Sequence, residues 1–133
     1  MAEVKQVTIN GETYNIAQAM AKQQKTLLTL VGAICAGNSA SSQIEEINAE
    51  FLKGMLLIVG EDTLDKISNI VLPRIFKNGE ESPVNIESFK GGMNTYLSLI
   101  AEGVKANLDD FFIWLNSANK QTNESNKKNV KAL

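Results

Sequence analysis

Apolar side chains in this 133-residue chain recur at every second position up to Ile16, and at every third or fourth position from Ala17 onward. A period of two puts alternate residues on opposite faces of a strand, whereas a period near 3.6 stacks them along one side of a helix. The change of period therefore limits the chain to a short β segment followed by helices. In the β segment, Val7 and Ile9 alternate with polar neighbours, as do Tyr14 and Ile16, and Asn10-Gly11 separates the two runs. Asn-Gly supplies the two left-handed residues of a type I′ turn, so residues 4–16 predict a hairpin. An isolated hairpin is marginal in water, so its apolar side must dock on the helices.

The first helix is predicted to start at Ala17 with Met20, Leu27, Leu28, Val31, Ile34 and Cys35 in its stripe; its second half is apolar nearly all round and should be deeply buried. Cys35 reads as a small core hydrophobe. Gly37 to Ser42 should end this helix, and Ser42 with Glu45 offers a capping box for the next. That second helix carries Ile44, Ile47, Phe51, Met55 and Ile58 on one side and closes at Gly60. Asp62 or Thr63 caps a third, with Leu64, Ile67, Ile70, Val71 and Ile75 inward, and Pro73 should stop or kink it near Leu72. After the loop Lys77–Pro83, Val84-Asn85-Ile86 is either a short strand or the lead-in to a helix from Ser88. That fourth helix carries Phe89, Met93, Tyr96, Leu97, Ile100 and Val104, and Gly103 loosens its end. Asn107, with Asp110 three residues on, should cap a last helix.

The expected fold is mainly α: one helical domain over residues 1–115, of about five helices with the hairpin at its start, and a disordered polar tail over 116–133. The tail holds four lysines against one glutamate, so it is +3, and a chain of net charge −2 leaves its body at −5. An acidic body attracts phosphate poorly, and no helix carries a basic stripe suited to the major groove, so nucleic-acid binding is disfavoured. The apolar run Leu27–Ala36 is far short of the roughly 20 residues of a membrane helix. A single cysteine and no signal-like N-terminus fit a reducing cytoplasm.

Catalytic constellations are hard to assemble from this chain. It has no histidine, which removes the commonest general base and zinc ligand. Glu61, Asp62 and Asp65 complement a helix N-terminus and lack the spacing of a calcium loop. Asp109 and Asp110 are adjacent and point about 100° apart on a helix. Gly91-Gly92 is not followed by the Lys-Ser/Thr of a phosphate loop. No enzyme activity, cofactor or metal is expected.

The segment Leu108-Asp109-Asp110-Phe111-Phe112-Ile113-Trp114-Leu115 is different in kind. Five consecutive large apolar residues cover every side of a helix, so one inward face cannot bury them all. Either this helix is central to the core or part of it meets another chain. Phe111, Phe112, Ile113, Trp114 and Leu115, with Met93, are the candidate partner-binding residues. Large rings anchor interfaces, and methionines such as Met20, Met55 and Met93 adapt to varied shapes.

The layout as a whole carries a resemblance. The hairpin, the helical Leu64-Asp65-Lys66-Ile67-Ser68-Asn69-Ile70-Val71-Leu72-Pro73, the Val84-Asn85-Ile86 segment and Asn107-Leu108-Asp109-Asp110-Phe111-Phe112 together resemble the tail assembly chaperones of tailed phages over residues 4–115. The resemblance implies a small, acidic, mostly helical and non-enzymatic protein. It further implies binding to apolar helical segments of the tape measure protein while tail tube subunits polymerise around it. Such chaperones are often made in a second, frameshifted form, and Lys127-Lys128-Asn129 is compatible with an A-rich slippery sequence. No binding position is carried over from the family; the site residues rest on the excess of apolar bulk alone. A different class of function uses the same helix to pair with copies of itself, as a structural phage or bacterial subunit that closes into a ring.

Overall fold

A computed structural model of the chain describes residues 4–41 and 48–117, with backbone alone over 36–41. The hairpin forms as its sequence predicts. β1 (Val4–Ile9) and β2 (Glu12–Ala17) pair antiparallel, with Val7 opposite Tyr14 and Ile9 opposite Glu12. Asn10 (φ 52°) and Gly11 (φ 81°) both occupy the left-handed region that a type I′ turn requires. Tyr14 and Ile16 are buried, while the opposite face carries a polar ladder in which Thr8 and Thr13 hydroxyls lie 3.2 Å apart. A third strand, β3 (Ile75–Lys77), joins the outer edge of β2 with Ile75 opposite Ile16. Ile75 was expected on a helix, and three residues after a proline are too few to show a strand's period.

Five α-helices follow the hairpin among the described residues: α1 (Ala21–Ser41), α2 (Ala49–Ile58), α3 (Glu61–Val71), α4 (Met93–Asn107) and α5 (residues 109–117). Two 3₁₀ turns, Leu72–Arg74 and Ile86–Phe89, complete the order. The mainly α fold with its N-terminal antiparallel sheet is the expected one, but several boundaries move. The first helix begins at Ala21 rather than Ala17 and runs through Gly37 to Ser41. Glycine and serine lower helix propensity without forbidding the helix, and no proline interrupts this stretch. Its second half is not buried all round either: Leu27, Val31 and Cys35 are inside, whereas Leu28 and Ala33 face water.

Asn48, in extended backbone, caps α2 by accepting the Phe51 N–H at 2.9 Å, so the second helix does not run unbroken from Ser42. Ser42, Ile44, Glu45 and Ile47 lie outside the described residues, as does the tail from 118. At α3 the cap position belongs to Gly60 (φ 90°), not Asp62 or Thr63, and Glu61 and Asp62 fall in the positive first turn. Pro73 ends α3 at Val71 as its ring chemistry dictates. Val84-Asn85-Ile86 is no strand: Asn85 and Ser88 cap each other reciprocally at the second 3₁₀ turn, which delays α4 to Met93.

α4 is the axis of the core. It touches α2, α3 and the sheet, and buries Tyr96, Leu97, Leu99, Ile100, Ala101 and Val104. Gly103 does not loosen this helix; it lets α3 come close, because a Cβ there would collide with Val71 Cγ1. An ion pair from Lys5 to Glu102 (3.3 Å) fastens β1 to the same helix.

Candidate functional site

The end of the domain where α4 hands over to α5 is built around Asn107, which is buried. Its Oδ1 accepts the Ala19 N–H at 2.7 Å and the Gln24 side chain at 3.3 Å, and its Nδ2 donates to the Gly103 carbonyl at 2.8 Å. Gln18 adds a bond to the Ala106 carbonyl at 3.0 Å. Asn107 is thus not the cap of α5; its amide pins the start of α1 against the end of α4. A buried amide with its donors and acceptors satisfied fixes relative placement more tightly than an apolar contact does.

That pinning lays α5 across the exposed side of α1. On α5, Phe112 and Leu115 stand four and seven residues after Leu108, on one stripe, and all three are buried in the core. Phe112 and Leu115, expected among the partner-binding residues, are core residues: the stripe they share with Leu108 joins the hydrophobic core. Ile113 and Trp114 lie on the opposite side and are 59% and 61% exposed. Phe111 stands at the boundary, half-buried. Its ring covers Gly32 of α1, where a Cβ would lie 3.7 Å from Phe111 Cζ, and packs on Trp114 at a centroid distance of 5.9 Å. Between the helices runs an open groove of about 440 Å³, walled by Gln24, Lys25 and Leu28 on one side and Asp110, Phe111 and Trp114 on the other.

Met93 does not join this group. It is exposed, but it begins α4 while α5 follows the other end, about 20 Å along a helix of 15 residues. Met20 is exposed beside the start of α1, and Met55 is buried. A second apolar exposure escaped the sequence reading. Leu57 and Ile58 on α2 are 73% and 85% exposed, next to half-buried Phe51, although Ile58 was expected to face inward. The signal was present in Met55-Leu56-Leu57-Ile58-Val59, a run as uniformly apolar as residues 111–115.

Groups suited to covalent or metal chemistry are scarce. Among the described residues no three His, Cys, Asp or Glu side chains gather where they could hold a metal ion. Burial pushes the Cys35 thiol up to about 11, and its Sγ lies 3.6 Å from Met55 Sδ, so it is held as the neutral, unreactive form. No helix among the described residues is long and apolar enough to cross a membrane. What the arrangement offers is an aromatic-edged groove and exposed aliphatic side chains rather than a reactive centre.

A family model described as phage tail assembly chaperone protein (TAC) matches residues 10–124 of the chain. No curated protein and no solved structure matches it.

Proposed function

We propose that this chain, which belongs to the phage tail assembly chaperones, holds apolar helical segments of the tape measure protein in the host cytoplasm during tail assembly. The observation that carries the reading is the outward placement of Trp114, which with Phe111 and Leu28 lines the groove between α1 and α5, and of Ile113 next to it on α5. A helix laid in that groove would bury its own apolar face on these side chains, with Trp114 as the anchor at the edge. Lys25 and Asp110 on opposite rims supply one charge of each sign, which suits an amphipathic helix better than a single-signed one. The chemistry asked of the protein is reversible covering of apolar surface, and no catalytic group is invoked.

Co-expression with the tape measure protein tests the proposal. Wild-type chain should keep that protein soluble and co-purify with it, and the double variant Ile113→Ala, Trp114→Ala should lose capture while retaining its own fold. Capture undiminished in the double variant would move the contact elsewhere on the molecule. A chain that neither co-purifies with nor solubilises the tape measure protein would end the reading.

A further inference from the structure

A second recess lies toward the other end of α4, about 16 Å along the helix from Asn107. It is a cleft of about 490 Å³ between the outer face of α3, the Pro83–Ile86 stretch and Tyr96 of α4. Its walls are set before any ligand arrives. The Val84 N–H donates to the Ile75 carbonyl at 2.8 Å, Asn85 and Ser88 cap each other, and the Tyr96 ring packs on Phe89 at 5.8 Å.

Two polar side chains lining this cleft are left over by the fold. Tyr96 and Ser68 are 5% and 6% exposed, and neither hydroxyl has a hydrogen-bond partner among the described residues. Neither oxygen is among the fully enclosed, unpartnered polar atoms, so both stay open to an incoming donor from the cleft. Asp65, three residues before Ser68 on the same α3 stripe, is the charged residue of the lining, and no described cation pairs with it. Asp62 one turn earlier, with Glu81 and Glu87 flanking the loop, makes the surroundings acidic, while Lys66 and Arg74 are near in sequence but do not line the cleft. The same lining holds the apolar side chains of Leu72, Pro73 and Ile86.

A cleft that sets apolar side chains beside a carboxylate and two hydroxyls complements a long aliphatic stem with a cationic head. The guanidinium of arginine fits such spread acceptors better than an ammonium, since its five N–H groups form a rigid planar fork that stays charged. We propose that this cleft receives an arginine side chain of a partner polypeptide, with the guanidinium on Asp65 and its remaining N–H groups donating to the Ser68 and Tyr96 hydroxyl oxygens. This site is separate from the groove beside Trp114, and neither assignment depends on the other.

Titration of the ¹⁵N-labelled full chain with Nα-acetyl-arginine methylamide tests it, against the citrulline analogue as a neutral isostere. Saturable shifts should be confined to the amides around Asp65, Ser68, Asn85 and Tyr96, with citrulline about tenfold weaker because it lacks the charge. Asp65→Asn, at an exposed position, should abolish that preference, Tyr96→Phe should weaken arginine binding several-fold, and Trp114→Ala should leave it intact. A capped Gly-Gly-Arg-Gly-Gly peptide should bind at least as tightly as the single residue. Shifts that are absent or spread over the surface, equal binding of citrulline, or an arginine preference that survives in Asp65→Asn would overturn the site. Weaker binding of the peptide would overturn a polypeptide occupant.

Discussion

α4 and α5 are consecutive helices, both rich in large apolar residues, yet they distribute them in opposite ways. α4 lies between α2, α3 and the sheet, so side chains on several of its sides find neighbours, and even Gly103 is used for close approach to Val71. α5 lies at the edge, so its Phe112 and Leu115 are enclosed while Ile113 and Trp114, one residue away from each, stand in water. The contrast teaches that position in the fold, and not local apolar content, decides which side chains remain exposed. α2 makes the same point, with Leu56 buried and Leu57 and Ile58 exposed in one uninterrupted apolar run.

The sharpest way to break this comparison is a pair of truncations within α5. Phe112→Ala should cost about 3–5 kcal/mol of folding stability, the range for emptying a buried phenylalanine site. Trp114→Ala should change stability by less than about 0.5 kcal/mol, as for surface substitutions. Urea denaturation of both variants measures the difference, and equal losses would mean that the two sides of α5 are not distinct. Next in size is the packing around α1 and α2. The Cys35 thiol is raised from 9.0 to about 11 by burial, so the folded state holds its proton more tightly than the unfolded state. The stabilisation from the neutral thiol is then fully present below pH 9 and declines as pH rises from 9 through 11, by about 2–3 kcal/mol in all. Thermal melts of wild type and Cys35→Ala across that interval should converge as the pH rises; parallel curves would show that the thiol titrates normally.

The smallest expected effect tests α4 itself. Helix propensity alone would make Gly103→Ala stabilising by about 1 kcal/mol. The contact with Val71 reverses the sign, and a net loss of about 1–2 kcal/mol is expected from overpacking. A rise in the denaturation midpoint would show that α3 and α4 have room to separate, and that α4 is less enclosed than its burial implies.

Much of this architecture was legible in the residues. Asn10-Gly11 with flanking alternation specified the hairpin, and Pro73 placed the end of α3. The helical period through Tyr96, Leu97, Ile100 and Val104 specified the body of α4, though not its start, expected at Ser88 with Phe89 in the stripe and found at Met93. The misreadings cluster where a side chain has two uses. Asn107 has the chemistry of a cap, but its amide was already committed to Ala19, Gln24 and Gly103 across the fold. The cap of α3 falls to Gly60, whose positive φ (90°) glycine adopts freely, and the helix has already begun when Asp62 and Thr63 are reached. β3 was illegible because its three residues acquire meaning only beside β2.

The candidate surface divides along the same line. Local sequence was enough to show that residues 111–115 hold more apolar bulk than one inward face can cover, since a helix turns about 100° per residue. Which members of that run are enclosed depends on the direction from which α1 and α4 approach, and that is set by the Asn107 hydrogen bonds to residues 83 and 88 positions earlier in the chain. Short-range chemistry, namely turns, breaks and periods, was therefore determined by the sequence alone. The division of one apolar helix into an inner and an outer side belonged to the tertiary structure, because burial is a property of neighbours that only the folded chain brings together.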